Sequence, residues 1–352
     1  MRNRFGTAAA IALMTTVSAV LLSACGPDNS DPVAAPTSGT TAAPGGSGGS
    51  GGSGGTGGGG TGKATPPGPT GQVVNGTSAA NHLTISTGGT TVAMNGTTVD
   101  FGTAVRDLQW SPDGKRAVFV NGDGDLVTSN PDGGGKTVVA KHPAGETWSH
   151  PTWQRSGRDN LADTSPNATE RFKNIVFASE KGGAVKLETI PAKSVGGTPE
   201  VLAPHNSEGG NENMPQPPQA GNGWPNAGGQ RGEIAYANGP ANEVFVYDTY
   251  IRPNTHSMGK GSQPAISPDG EQVVFVRSVD GHDHLFRRST LDAKSEKDLT
   301  PKAATDYTEP VWSPDGKTLA VRTPDGIATL PSDGSAAPVQ VSTVKGLPSF
   351  RP

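Results

Sequence analysis

Trp312-Ser313-Pro314-Asp315-Gly316-Lys317 contains the tetrapeptide Ser-Pro-Asp-Gly, which also occurs at residues 111–114 and 267–270 of this 352-residue chain. Each copy lies between two short apolar segments, such as 310–312 before this copy and 318–321 after it. Proline presets the first central position of a type I turn, aspartate suits the second, and glycine accepts the left-handed conformation that closes the turn. Each copy therefore predicts a β-hairpin.

Two degenerate copies of the pattern fill the gap between the first and second tetrapeptides. They occupy residues 151–157 and 217–223, and each precedes a further apolar segment. The turn glycines of the five copies are spaced by 43, 66, 47 and 46 residues, at positions 114, 157, 223, 270 and 316. We interpret the long step as one period plus two insertions, at 158–172 and 224–232. A period near 45 residues with four short strands in each unit is typical of a β-propeller blade.

The two ends of the repeat region predict how the propeller closes. Residues 347–352 match the inner-strand pattern of 309–314 but have no blade behind them, whereas residues 82–102 supply about three strands with no inner strand ahead of them. Joining the two ends would complete one blade and remove two open sheet edges. One composite blade and five full blades predict a six-bladed, all-β propeller. Seven blades is the alternative if 158–232 contains a further unit.

The composition excludes several other classes of protein. The 51 glycines argue against long helices, because glycine costs about 1 kcal/mol per helical position. A net charge of −4 argues against nucleic acid as a partner, since nucleic-acid binding favours a basic face. A single cysteine excludes an internal disulfide framework and a cysteine-based zinc site.

The pattern of the first 25 residues predicts an export signal. Arg2 and Arg4 precede an uncharged apolar run at 8–22, which is too short to span a bilayer of about 30 Å. Leu22-Ser23-Ala24-Cys25 resembles the lipobox of bacterial lipoproteins. The resemblance implies a signal peptide at 1–24, cleavage after Ala24 and a diacylglycerol on Cys25 as the covalent lipid, so that the protein is anchored to the cell membrane on its extracytoplasmic face. The alternatives are an ordinary signal peptide with a chance cysteine, or a buried core helix.

The segment after the lipobox predicts a tether. Residues 25–72 consist mainly of Gly, Ser, Thr, Ala and Pro, and 13 of the 18 positions in 45–62 are glycine. Such a segment cannot bury a core, and its root-mean-square reach is roughly 35–40 Å. We therefore predict a flexible linker that holds a propeller domain at 73–352 away from the membrane.

The Trp-Ser-Pro-Asp-Gly-Lys core resembles the WD40-like (PD40) repeats of TolB-type propellers, over about 103–352. The resemblance implies a propeller that works by protein–protein contact in the cell envelope. We therefore predict a monomeric, non-catalytic scaffold that binds a protein or another ligand. TolB proteins carry a small α/β domain before the propeller, and here the linker takes that place. The protein could equally be the sensor domain of a neighbouring membrane kinase, because the sequence does not distinguish this role from that of a scaffold.

In this topology, the loops that lead into the inner strands share one face of the propeller, and the Ser-Pro-Asp-Gly turns lie on the other. The polar and aromatic residues of the first set are predicted to ring the mouth of the central channel and to bind the ligand or partner; they are Arg106, Asp107, Trp148, His150, Glu212, Asn213, His256, Lys260, Asp306, Tyr307, Glu309 and Lys345. Trp224, in the second predicted insertion, is a further candidate. Trp110, Trp153 and Trp312 recur at one repeat position, which predicts contacts between blades.

The alternative function is a metal-dependent propeller that binds or acts on carbohydrate. His282 and His284 lie in one loop, and His256 is predicted to lie near the start of the same blade; three histidines can bind zinc. Residues 121–125 offer oxygen ligands but lack the pattern of an EF-hand, so a tight turn explains them better. Outside the Gly-rich linker, no Gly-x-Ser-x-Gly elbow, P-loop or Gly-x-Gly-x-x-Gly motif after a strand occurs, so no catalytic residue is predicted and the chain is expected not to be an enzyme.

Overall fold

Six antiparallel sheets of four strands each form a propeller in this computed structural model. The structure describes residues 75–154, 173–207, 215–229, 231–249 and 253–352, all within one compact unit, Pro67–Pro352. The predicted signal peptide, lipidated Cys25, linker and 158–172 insertion lie outside the described residues. The six blades confirm the predicted fold.

No helix within the described ranges is long and apolar enough to span a membrane.

Each sheet is one blade. Blade 1 consists of β24 (Leu347–Phe350), β1 (Leu83–Ser86), β2 (Thr91–Met94) and β3 (Thr97–Asp100). Blade 2 consists of β4 (Arg106–Trp110), β5 (Ala117–Val120), β6 (Leu126–Ser129) and β7 (Thr137–Ala140). Blade 3 consists of β8 (Thr147–Trp153), β9 (Asn174–Lys181), β10 (Ala184–Pro191) and β11 (Glu200–Val201).

The other three blades follow the same order. Blade 4 consists of β12 (Asn222–Gly228), β13 (Glu233–Asn238), β14 (Glu243–Asp248) and β15 (Asn254–Lys260). Blade 5 consists of β16 (Ser262–Ile266), β17 (Gln272–Val279), β18 (His282–Ser289) and β19 (Lys297–Asp298), with a short 3-10 helix at Ala293–Ser295. Blade 6 consists of β20 (Thr308–Trp312), β21 (Thr318–Thr323), β22 (Gly326–Pro331) and β23 (Val339–Ser342). The first-named strand of each blade contacts its counterparts in the two neighbouring blades, so these six strands form a closed inner ring.

The C-terminal strand closes the ring as predicted. β24 pairs antiparallel with β1, with Leu83 opposite Phe350 and Ser86 opposite Leu347. The backbone N–H of Arg351 donates to the carbonyl of His82 at 2.9 Å and extends the pairing by one residue. The first blade is therefore built from both ends of the propeller domain.

Each of the three Ser-Pro-Asp-Gly turns has the same pattern of hydrogen bonds. At 313–316 the Ser313 hydroxyl donates to Asp315 at 2.6 Å, and Asp315 also accepts from the backbone N–H of Lys317 at 3.1 Å. Ser313 Oγ in turn accepts from the N–H of Thr318 at 2.9 Å, where β21 begins. The Ser313 hydrogen bond, with the Lys317 contacts, lowers the pKa of Asp315 below its usual value. The motif therefore specifies the turn through side chains as well as backbone.

The tryptophans at the end of the inner strands connect neighbouring blades, as the repeat position predicts. The indole N–H of Trp312 donates to the carbonyl of Ala265 at 3.0 Å, and that of Trp110 donates to Thr84 Oγ1 at 2.9 Å. Trp153 Nε1 makes a longer hydrogen bond, 3.4 Å, to the Gln109 carbonyl. Each indole therefore reaches the preceding blade.

Blade 4 differs from the predicted register. β12 occupies 222–228, with Asn226 opposite Ala235 and Gly228 opposite Glu233, so the hairpin turn follows Gly228. The prediction that Gly223 is the turn glycine and that 224–232 is an insertion was wrong. The prolines at 217 and 218 imitate the start of the repeat, whereas the true turn lacks the Ser-Pro-Asp-Gly motif. Trp224 therefore belongs to an inner strand.

We expect Trp312→Ala to lower the free energy of unfolding by about 3 kcal/mol, because it removes a large side chain from between two blades. Trp312→Phe keeps most of the packing and loses the indole hydrogen bond, so its loss should be about 1 kcal/mol. Urea unfolding followed by circular dichroism measures both. Leu291→Ala, at a side chain that is 92% exposed, is the control and should change little. Equal losses for the two Trp312 variants would contradict a packing role.

Candidate functional site

Five of the six inner strands carry a β-bulge near their start. The regular pairing breaks between Arg106 and Gln109 in β4, and between Thr308 and Val311 in β20, with equivalent breaks in β8, β12 and β16. A non-glycine residue with a positive φ lies in each bulge: Asp107 (56°), His150 (52°), Trp224 (47°), Gln263 (48°) and Glu309 (51°). This left-handed conformation costs an L-residue roughly 1–2 kcal/mol, and a bulge redirects the side chain that it carries.

All five bulge residues line one cavity at the channel end that lies away from the Ser-Pro-Asp-Gly turns. Leu347 of β24 lies at the equivalent position in the remaining blade and completes the ring. The cavity has an empty volume of about 490 Å³, part of which is open to solvent. We call this cavity the channel mouth.

A polar bridge crosses the channel mouth. His150 Nε2 lies 3.4 Å from Glu309 Oε1, and these residues belong to blades 3 and 6, which are opposite each other in a ring of six. The indole N–H of Trp224, in blade 4, donates to the same Glu309 oxygen at 3.4 Å. The imidazole and indole rings lie 5.5 Å apart, centroid to centroid, and are tilted by 55°. Three blades therefore meet at one carboxylate.

Side chains of neighbouring blades hold the bulges in place. Asp107 Oδ2 accepts from the backbone N–H of His150 at 3.0 Å, and Gln263 Oε1 accepts from the backbone N–H of Glu309 at 2.8 Å. In both pairs the bulge residue of one blade fixes the bulge of the next blade. The two sides of the bridge are therefore positioned independently of each other.

The bridge is an ion pair at neutral pH. Burial of His150 opposes its positive charge, but the attraction of Glu309 and Asp107 and the hydrogen bond to Glu309 outweigh it and raise the pKa of His150 to about 9. Burial likewise opposes the charge of Glu309, but His150, the Trp224 hydrogen bond and the more distant Arg322 lower the pKa of Glu309 below its usual value. The two side chains are 24% and 21% exposed, so solvent screens the pair only partly.

The structure brings four of the predicted site residues together at the channel mouth: Asp107, His150, Trp224 and Glu309. Arg106 is exposed beside Asp107 at the start of β4. Lys260 ends β15, where its ammonium lies 3.3 Å from Glu243 Oε2, and Lys345 is exposed in the loop before β24. Glu212 and Asn213 lie outside the described ranges.

Three other predicted site residues lie elsewhere, which corrects the prediction. Trp148 is 1% exposed, its indole N–H donates to Glu146 at 3.0 Å, and its ring packs against Phe177 in the core. Tyr307 packs against the core of blades 5 and 6 and lines a separate recess. Asp306 faces His282, 3.4 Å away, rather than the channel.

The three histidines considered as a metal site lie on two different blades. His256 lies on β15, opposite Val246 and within blade 4, and its burial lowers its pKa. His282 and His284 lie on β18 of blade 5, and His284 Nδ1 is 2.9 Å from Asp298. Among the residues that the structure describes, no three metal-ligating side chains form a group. The prediction that His256 starts the same blade as the other two was wrong.

Residues 121–125 form the predicted tight turn. The N–H of Gly124 donates to the carbonyl of Asn121 at 3.1 Å, and the N–H of Asp125 donates to Asn121 Oδ1 at 2.8 Å.

Gln263 is a channel-mouth residue that the sequence reasoning missed. Gln263 precedes Pro264 as Glu309 precedes Pro310. Aligning the repeats on these prolines would therefore have placed Gln263 at the same position as Glu309.

We expect the His150 imidazole to titrate near pH 9 and Glu309→Gln to move its midpoint towards 6.5. NMR titration of the ring protons, assigned with His150→Gln, measures this. Because the folded pKa of His150 is raised, the bridge stabilises the fold fully between about pH 4.5 and 6.5, where Glu309 is ionised, and that contribution, at most about 3 kcal/mol, is lost as the pH rises through 9. An unchanged midpoint in Glu309→Gln would contradict the bridge.

Comparison with known proteins supports the fold. No protein-family profile matches the chain, and no curated protein sequence matches it. TolB from Acinetobacter baumannii has a similar structure, with a TM-score of 0.52 and 13% identity over 77% of this chain and 66% of that one. A chain of a nidogen/laminin complex has a TM-score of 0.51 and 10% identity over 77% and 97%. A TolB structure from Agrobacterium tumefaciens has a TM-score of 0.46 and 17% identity over 68% and 82%. The chain is a six-bladed propeller with TolB-like structural neighbours.

Proposed function

We propose that this protein is a membrane-anchored, extracytoplasmic lipoprotein whose propeller is a non-catalytic scaffold. Its channel mouth binds a protein of the cell envelope. The lipobox at 22–25 supports the anchor, with acyl lipid on Cys25 as the covalent group. The TolB-like fold is consistent with a protein-binding scaffold.

The convergence of four polar or aromatic residues from different blades is the observation that carries the proposal. Asp107, His150, Trp224 and Glu309 come from blades 2, 3, 4 and 6, and all have the unfavourable left-handed conformation. Strained residues that gather at one cavity indicate a functional site, because the rest of the structure must stabilise them. Concave channel mouths are natural binding sites.

The lining of the channel mouth offers few groups for covalent catalysis, because Asp107 and Glu309 are its only carboxylates and both accept hydrogen bonds from other blades. Its 15 residues include no Ser, Thr, Cys or Lys, so they offer no hydroxyl, thiol or amine nucleophile. The one histidine there already faces Glu309 and is protonated at neutral pH. A protonated imidazole cannot act as a general base.

Photocrosslinking in cells tests the binding site. Benzoylphenylalanine at Arg106, which is exposed beside the channel mouth, should give one specific adduct that mass spectrometry identifies. The same label at Leu291, in the loop after β18, should not give that adduct. Glu309→Gln should reduce the adduct at least tenfold. The same adducts from both positions, or an adduct that Glu309→Gln leaves unchanged, would place the partner elsewhere.

Lipid labelling tests the anchor separately. Cys25 is the only cysteine, so Cys25→Ala should abolish incorporation of radiolabelled palmitate and move the protein from the detergent phase to the aqueous phase. Ser23→Ala keeps the cysteine and is the matched control. Label that persists in Cys25→Ala would show that the lipobox assignment is wrong.

A further inference from the structure

The channel mouth already surrounds one cation of the chain itself. The His150 imidazole lies 3.4 Å from a Glu309 oxygen, its backbone N–H is 3.0 Å from Asp107, and its ring faces Trp224. Two carboxylates and an aromatic ring are the groups that recognise a basic side chain, through charge-assisted hydrogen bonds and cation–π attraction.

The two carboxylates have acceptor capacity to spare. A carboxylate offers about four lone-pair positions on its two oxygens. Among the described residues, Asp107 accepts only through Oδ2, and Glu309 accepts only through Oε1. Trp224, beside them, is 37% exposed as a residue, so this aromatic residue is open to contact from solvent.

We infer that the channel mouth binds the charged end of a lysine or arginine side chain of the partner. The entering cation would contact the unused oxygens of Asp107 and Glu309 and the exposed indole of Trp224. This inference rests on the proposed binding function and specifies the chemistry that the site recognises. An apolar side chain would leave the carboxylates without a partner, and an anion would be repelled by them.

The cations near the site determine the strength of this recognition. His150 competes for Glu309 from inside the channel mouth, whereas Arg322 acts on Glu309 from β21 and is exposed, so solvent screens it. His150 is therefore an internal competitor of the ligand. Removing its charge without removing the carboxylates should strengthen binding, and removing the Glu309 charge should weaken it.

NMR of the full-length protein in detergent micelles, labelled with ¹⁵N-tryptophan, tests the inference. The five indole N–H signals include that of Trp224, which Trp224→Phe identifies and which reports on the Glu309 contact. The probes are Nα-acetyl-lysine methylamide and its uncharged counterpart Nα-acetyl-norleucine methylamide. We expect the lysine probe to shift the Trp224 signal saturably and the norleucine probe to leave it in place.

Two variants complete the experiment. His150→Gln should bind the lysine probe at least threefold more tightly, and Glu309→Gln at least tenfold more weakly, while the other four indole signals report that the fold is intact. Equal shifts with both probes, no shift with either, or weaker binding by His150→Gln would overturn the inference. If the Arg106 crosslink captures a partner but the lysine probe fails, the scaffold function stands and recognition of a basic side chain is wrong.

Discussion

The antiparallel pairing of β24 with β1 is the constraint on which the rest of the structure depends. It joins the C-terminal strand to the start of the propeller and leaves six blades in a closed ring. Closure fixes the angle between blades, so residues of opposite blades, such as His150 and Glu309, meet across the channel. An open ring would expose sheet edges and would not determine that distance.

The inner strands have a different role at each end. At one end, Trp110 and Trp312 donate hydrogen bonds to the preceding blade, and the Ser-Pro-Asp-Gly network fixes the following hairpin. At the other end, the bulges redirect one side chain in each of five blades into the channel mouth. The residues that stabilise the hairpins and the residues that line the channel mouth therefore lie at opposite ends of the same short strands. Because of this separation, substitutions at the channel mouth leave the Ser-Pro-Asp-Gly turns unchanged.

The electrostatics of the channel mouth follow from the bulges. Burial alone would favour neutral forms of both His150 and Glu309, yet their mutual attraction keeps both charged. The backbone N–H groups of the same two residues are hydrogen-bonded to Asp107 and Gln263, which limits how far the charged side chains can separate.

The sequence by itself determined the hairpins, the period, the six blades and the inter-blade tryptophans, because these depend on local turn chemistry and on repetition. It also identified Asp107, His150, Trp224 and Glu309, which lie within the inner strands. Only the tertiary structure showed that Trp148 is buried, since a bulge later in the same strand changes which face its side chains occupy. Only the tertiary structure showed that His256 lies on the outer strand of blade 4, because the sequence did not reveal where blade 4 ends. Only ring closure decided which residues meet, because that distance depends on the angles between all six blades.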